Sequence, residues 1–422
     1  MSNNVLYSLM ETYLFLFFLS YIGIVLFGYW LKALNLGHLK KYGAEVPPEF
    51  EGRIDTDLLK RTCDYTIENS KFSFAASIFN NIVLLVFLFG GLLNLYNSWV
   101  MSMNWHFVVS GLAFFLFLIY AENIISIPFS LYRNFKIEKK YGFNTLTPGL
   151  WLADFFKSIL VSTILIGILI SVGLWLVSYS PEFWWLWVWG FFLLFSLFIM
   201  YISPYVIEPL FNKFTPVDDR EMEDRIKDMA EKAGIRVSSI FKMDASKRSR
   251  HTNAYFTGIG KVKRIILYDT LLAKMDRDEV IAVLAHELGH WKKKHVLKRI
   301  IVSEVMAFAV LYAAFYILQS DFLLQVFSIE ADSFFAKVMI LGFIGSIIGF
   351  PLGPLSSYFS RRHERQADRF ACELTGNPNS LASSLIKLSK DNLSNLHPHP
   401  LYAAFYYSHP PVVQRVRDIQ GF

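Results

Sequence analysis

Residues 280–295 read VIAVLAHELGHWKKKH, and within them His286, Glu287 and His290 form the pattern His-Glu-x-x-His. On a helix, positions i and i+4 lie on one face. Two imidazoles at that spacing can hold one zinc ion, and the glutamate beside the first can reach a water at the metal. Ala282, Val283, Leu284, Ala285, Leu288 and Gly289 are uncharged, which suits a buried helix around a metal. Asp276 with Glu279 has the form of a capping box that opens this helix. The plainer alternative is a juxtamembrane helix with incidental histidines.

The surrounding chain decides the class. Its 422 residues could make two or three soluble domains, but 54% are hydrophobic and only 18% charged. Seven apolar segments are long enough to span a bilayer: Tyr13–Leu31, Phe74–Leu95, Phe107–Phe129, Leu150–Val177, Trp184–Val206, Ile300–Leu318 and Phe334–Leu352. The expected fold is a mainly α-helical polytopic membrane protein with seven transmembrane helices. Residues 1–212 carry the first five spans, 213–298 a hydrophilic segment with the His-Glu-x-x-His helix, 299–360 the last two spans, and 361–422 a C-terminal segment that completes the site. Met1 to Thr12 has no Lys or Arg, so a cleaved signal is not expected, and Ile419 to Phe422 match no lipidation or retention signal. Cys63 and Cys372 sit in unrelated contexts and read as free thiols.

The loops give an orientation. Lys40, Lys41, Arg53, Lys60 and Arg61 follow the first span, and Arg133, Lys136, Lys139 and Lys140 follow the third. The segment from Lys213 to Lys298 and the chain from Arg361 onward are also basic, whereas Asn97–Asn104, Ser178–Glu182 and Gln319–Asp332 hold no Lys or Arg. This alternation follows the positive-inside rule. It puts the N-terminus outside or in a lumen and the C-terminus in the cytosol, in a bacterial inner membrane or the endoplasmic reticulum. The net charge of +6 therefore reflects basic loops facing a lipid bilayer, and no nucleic-acid partner is expected.

In the cytosolic insert, Asp219 to Ala233 reads as a polar helix ended by Gly234. Val237–Met243, Asn253–Thr257 and Arg264–Tyr268 read as strands of a small β-sheet, the last two joined as a hairpin through Gly258 and Gly260. Trp184, Trp185, Trp187 and Trp189 read as an interfacial belt, and Pro351, Gly353 and Pro354 as the end or a kink of the seventh span.

A catalytic zinc needs a third protein ligand. Residues 360–368 read SRRHERQAD, with Glu364 and Asp368 at i and i+4. Glu364 is assigned as ligand, and Asp368 would accept a hydrogen bond from a ligand imidazole. The plainer reading is a solvated helix whose acids pair with Arg361, Arg362 and Arg365. Topology favours the ligand: two spans separate His290 from Glu364, so the chain returns to the same side. His295 lies one residue past i+4 from His290 and reads as a poor ligand, with Lys292, Lys293 and Lys294 as a membrane anchor; His363, His397 and His399 are weaker still.

HELGHW, SRRHERQAD, HTNAYF (residues 251–256) and SHPP (residues 408–411) together resemble the type I CAAX prenyl endopeptidase family, integral-membrane zinc metalloproteases, over nearly the whole chain. The resemblance implies seven helices around a large water-filled chamber with the zinc site at its cytosolic end. It implies one zinc per chain on His286, His290 and Glu364, with Glu287 as the catalytic base. Asn253 and Ala254 then match a strand edge that holds substrate backbone in extended form, as strand addition allows. His409 and Arg415 match residues near the zinc, His409 in an oxyanion role and Arg415 toward substrate. The alternative for His409 is a residue that precedes Pro410 and Pro411 at a helix start.

The implied activity is hydrolysis of peptide bonds near the C-terminus of prenylated CaaX substrates, or the same chemistry used in membrane-protein quality control to clear misfolded or stalled membrane proteins. A seven-helix transporter or receptor with an incidental motif is the other class. An intramembrane-cleaving protease fits less well, because Asp276, Arg277 and Asp278 precede the motif closely and three lysines follow it. Glu122, Asp154, Lys157 and Glu304 fall in or near spans and suit a hydrated lining, an ion path or, for Asp154 and Lys157, snorkelling at an interface.

Overall fold

Among the described residues, seven helices are long and apolar enough to cross a bilayer, and each contains most of one of the apolar runs. The computed structural model describes residues 3–257 and 262–421. Helix α1 (Asn3–Tyr42) has 40 residues. At 1.5 Å per residue it is about 60 Å long, twice the hydrocarbon thickness, so its end with Lys40 and Lys41 projects beyond the apolar run. Helix α2 (Thr56–Phe89) starts at Asp55, whose side chain accepts from the Leu58 N–H. The second span was expected to run to Leu95. It stops at Phe89, because Gly91 takes φ 80°, and α3 (Leu92–Ser102) is a separate short helix.

Helices α4 (Phe107–Tyr132), α5 (Pro148–Tyr179) and α6 (Trp184–Ile202) follow. A wide, π-type turn extends α4 over Arg133–Glu138, and another over Ser203–Ile207 leads from α6 to α7 (Glu208–Phe211). The tryptophans of α6 are not a simple belt. Trp187 is exposed, but Trp184 is buried and Trp185 and Trp189 pack on Phe308. They weld α6 to a later span.

The hydrophilic insert begins with β1 (Phe214–Pro216) and α8 (Arg220–Lys232), the helix capped by Asp219. Strands β2 (Arg236–Met243), β3 (Ala254–Thr257) and β4 (Val262–Tyr268) complete a sheet of order β1-β2-β4-β3. β2 and β4 are parallel; β3 and β4 pair antiparallel, Ala254 opposite Leu267. The expected hairpin pairing is present, and its turn glycines, Gly258 and Gly260, lie outside the described residues. β1 and β3 are the edge strands. Helix α9 (Asp269–Leu272) then leads to α10 (Arg277–Lys292), which carries the HELGH run.

Helix α11 (His295–Leu318), short α12 (Phe322–Val326) and α13 (Phe334–Gly349) make the two crossings after the motif. Pro351 sits in a tight turn, Phe350–Leu352, and the chain continues as α14 (Gly353–Thr375). The prolines therefore kink the seventh span rather than end it, because each stands in the first turn of a new helical segment, where no N–H is needed. Helices α15 (Pro378–Asp391), α16 (Pro400–Tyr406) and α17 (Val412–Gln420) close the fold.

Four apolar clusters form among the described residues, two of them large. One joins Ile226, Ile265, Leu267, Leu284, Leu288, Ala371 and Val416 around α10; the other joins Phe114, Leu174, Phe335 and Ile340 among the spans. At the membrane end remote from α10, buried Lys337 pairs with Asp321 at 2.6 Å and Asp332 at 3.4 Å. Reading Phe334–Leu352 as one apolar run hid this lysine. A cavity of about 970 Å³ opens between α2 and α4, lined by Ser73, Ser77, Asn80, Ser126, Asn134 and His251 among others. Polar side chains on apolar spans are costly against lipid, and this cavity is where Ser73, Ser77, Asn80 and Ser126 face.

Candidate metal centre

Helix α10 starts where expected. Asp276 and Glu279 form a reciprocal capping box, and buried Glu279 also accepts from Ser383 Oγ at 2.7 Å and Lys387 Nζ at 2.6 Å. One carboxylate thus fixes the start of α10 and ties it to α15. On its other side α10 lies against α14 at Gly289. A Cβ there would stand 3.0 Å from Ala367 Cα and 3.1 Å from its carbonyl oxygen, so the close approach requires glycine. It brings the face with His286 and His290 opposite Glu364.

The donor atoms converge. His286 Nε2 and His290 Nε2 are 3.2 Å apart, and each is 3.3 Å from a Glu364 carboxylate oxygen. Metal bonds of about 2.0 Å in a tetrahedron set their donor atoms about 3.3 Å apart. Glu364 is buried, and its Oε2 makes no hydrogen bond although an imidazole nitrogen faces it. Two nitrogens and a carboxylate oxygen, nearly buried and pointed at one another, make a donor set that suits a cation. The donor set and spacing fit zinc.

Behind these atoms, Asp368 meets His286 Nδ1 at 2.8 Å and occupies the position expected of an orienting carboxylate. Arg415 of α17 donates to both Asp368 oxygens, at 2.8 and 2.6 Å. Its guanidinium, expected to meet substrate, is engaged with Asp368 and lies 3.9 Å from Glu364. His409, in the loop before α17, brings Nε2 to 3.4 Å from Glu364 Oε1 while Nδ1 meets Ser408 Oγ at 2.9 Å. Its side chain is 60% exposed, so it reaches the site from the solvent side. Asn253 stands just before β3, its Oδ1 accepting from the Ala254 N–H at 2.9 Å. Ala254 is buried, and β3 packs against α10.

The electrostatics follow from burial and neighbours. Burial opposes the charged form of His286, yet the carboxylates of Asp368 and Glu364 beside it prevail and push its pKa up to about 9. Burial pushes the Glu287 carboxyl up, against the pull of both histidines. Burial also lowers His409, although Glu364 draws it the other way. A site arranged this way holds a carboxylate of raised basicity beside a candidate cation-binding cluster.

The sequence reading missed His295. It assumed one helix through the lysine run, but Lys294 adopts φ 56° and separates α10 from α11. His295 is therefore free of the i+5 geometry, and it returns to His290, Nδ1 to Nδ1 at 3.1 Å. A lysine in the left-handed region leaves no signal in the sequence. Of the four charges near spans, Asp154 pairs bidentately with Arg248 at 2.8 and 3.0 Å rather than snorkelling. Lys157 donates to the Leu210 carbonyl, Glu122 is exposed, and the Glu304 Oε2 is buried without a hydrogen bond. None of the four lines the large cavity. Cys63 and Cys372 are free, Cys63 donating to the Gly43 carbonyl.

Comparison with known proteins agrees along the chain. Residues 35–213 match the family described as CAAX prenyl protease N-terminal, five membrane helices, and residues 216–422 match peptidase family M48. CAAX prenyl protease 1 of Saccharomyces cerevisiae is 34% identical over 88% of this chain and 88% of its own length. This chain belongs to the CAAX prenyl protease 1 family. Its homologue in Homo sapiens is 30% identical over 90% of both chains. The crystal structure of S. mikatae Ste24p superposes with a TM-score of 0.88 at 29% identity, covering 97% of this chain and 99% of that one. The protein is an integral-membrane metalloprotease, and His286, His290 and Glu364 are its candidate metal-binding group. A transporter or receptor with an incidental motif is excluded by this membership.

Proposed function

We propose that this CAAX prenyl protease relative binds one zinc ion on His286, His290 and Glu364 and hydrolyses peptide bonds near the C-terminus of prenylated CaaX substrates. The observation that carries the chemistry is the convergence of two Nε2 atoms and one carboxylate within 3.2–3.3 Å, with Glu287 beside the first ligand. The substrate class rests on the likeness to the CAAX prenyl proteases of Saccharomyces cerevisiae and Homo sapiens. The reading also sets the active site and C-terminus on the cytosolic face, in the endoplasmic reticulum or a bacterial inner membrane, with the N-terminus on the other side. The distribution of Lys and Arg supports this. So does the contact of Arg417 with Glu49 at 2.6 Å, which keeps the basic end of α1 on the side of the site.

When bound, zinc supplies Lewis acidity, which acidifies water and polarises a peptide carbonyl. Glu287 takes the proton of the attacking water and delivers it to the leaving amine; burial has raised its basicity for that task. His409, reaching in from the solvent side, donates a hydrogen bond to the oxyanion of the tetrahedral intermediate. Asp368 fixes the tautomer of His286, and Arg415 holds Asp368 in place. The substrate backbone lies extended along the free edge of β3 at Asn253 and Ala254, forming strand hydrogen bonds there.

The test is cleavage of a farnesylated C-terminal peptide by the purified protein, with zinc measured by elemental analysis. Glu287→Gln retains zinc and loses about 10²- to 10⁴-fold in turnover. A wild-type rate in that variant removes Glu287 from the mechanism. Equal turnover of the farnesylated and unfarnesylated peptides overturns the CaaX reading in favour of general clearance of hydrophobic chains.

A further inference from the structure

We infer that His295 is a positioning residue for the metal ligand His290, and that it acts through a relay ending at Gln366. The inference rests on the zinc reading above and assigns to His290 what Asp368 supplies to His286. His290 Nδ1 lies 3.1 Å from His295 Nδ1, and His295 Nε2 lies 2.9 Å from Gln366 Oε1. His295 is 1% exposed, and its ring stacks on His363 with centroids 4.1 Å apart and planes 12° from parallel.

One proton arrangement satisfies the whole row. A neutral imidazole that gives Nε2 to a metal carries its hydrogen on Nδ1 and must donate it. The partner of His290 Nδ1 is His295 Nδ1, which must then be bare. The hydrogen of His295 therefore sits on Nε2 and is donated to the Gln366 carbonyl. The other tautomer of His295 would oppose two N–H groups and turn a lone pair toward an amide oxygen. Gln366 lies two residues after Glu364 on α14. The relay thus runs from the second ligand on α10, through the first residue of α11, to the helix that supplies the third ligand.

The two histidine ligands are consequently supported in different ways. Asp368 is an anion and makes His286 a more basic ligand. His295 is neutral and orients His290 without adding charge to a site that already gathers Glu287, Glu364 and Asp368. The left-handed backbone of Lys294, φ 56°, is a local cost held by its surroundings, and it delivers the His295 ring to this position.

The experiment uses the full chain purified in detergent. Zinc dissociation constants come from competition with a fluorescent chelator, and visible spectra of the Co²⁺-substituted protein report ligand geometry. His295→Phe keeps the stack on His363 and removes the acceptor; it raises the zinc Kd about ten- to a hundredfold and alters the Co²⁺ bands. His295→Asn sets Oδ1 where Nδ1 stands and recovers most of the loss. Wild-type Kd and spectrum in His295→Phe overturn the inference, as does an Asn variant that loses as much as Phe. Should His295→Phe fail to fold, Gln366→Met decides: a smaller weakening in the same direction supports the relay, and a wild-type Kd overturns it. Failure of the metal reading itself looks different: the wild type takes up no zinc, or His286→Ala keeps it.

Discussion

In the proposed site, His286 gives one nitrogen to the metal and the other to a hydrogen bond, and Asp368 at 2.8 Å from Nδ1 is placed to decide which does which. That division could be read from the chain, because Glu364 and Asp368 stand one helical turn apart, as His286 and His290 do. The role of His295 could not, because it depends on a backbone reversal at Lys294. Lys337 was concealed for another reason: one charge in a long apolar run does not lower its hydropathy enough to break it. His251 shows how a residue outside the site makes a pH-dependent contribution. Its Nδ1 meets Asn392 at 2.8 Å, its Nε2 meets Glu138 at 3.4 Å, and it stacks on Phe143. Burial lowers its pKa, but the bonds to Glu138 and Asn392 prevail and raise it. A raised folded value means that protonated His251 stabilises the fold. This contribution is complete below the unfolded value of about 6.5 and is lost as pH rises through the folded value. The gap in unfolding temperature between the wild type and His251→Asn is therefore expected to be wider near about pH 6 than near about pH 9. A gap that widens with rising pH contradicts the assignment.

Among the elements, α10 and α14 share the candidate metal ligands, and they approach closely where Gly289 meets the Ala367 backbone. A side-chain neighbour could swing aside, but a backbone neighbour cannot. Gly289→Ala must push the helices apart by a few tenths of an ångström, about the tolerance of a metal–ligand bond. Overpacking costs about 1–3 kcal/mol, while alanine in place of glycine returns up to about 1 kcal/mol of helix propensity. The expected result is a modest fall in thermal stability with a disproportionate loss of zinc affinity, measured by unfolding and chelator competition on one preparation. Unchanged zinc affinity would show that the contact does not set the ligand geometry. Element boundaries were legible where capping chemistry is local, as at Asp219 and Asp276. They were misjudged at Gly90–Gly91, where apolar residues continue across a break that only the backbone reveals, so a single run concealed two helices.

At the scale of the whole molecule, the metal centre joins elements separated by two membrane crossings. His286 and His290 precede α11, and Glu364 follows α13. Seven spans could be read from apolar length, and the even number between the ligands required them to meet on one side. The distance of that meeting could not be read, because it is set by Gly289, by the kink at Pro351 and by the relay through His295. A bound ion should therefore clamp the C-terminal half of the fold as a unit. An ion that binds only the folded state stabilises it by about 4 kcal/mol at a thousandfold excess over its Kd. Removing zinc with a strong chelator is expected to lower the unfolding temperature of the detergent-solubilised protein, and adding zinc back to restore it. Glu287→Gln, with every ligand intact, should show the same drop and recovery. Glu364→Ala should bind less zinc per chain and respond to neither treatment, because its third ligand is gone. A chelator-induced drop of wild-type size in Glu364→Ala would mean that the stabilising ion sits elsewhere, and the three residues would lose their place as the clamp.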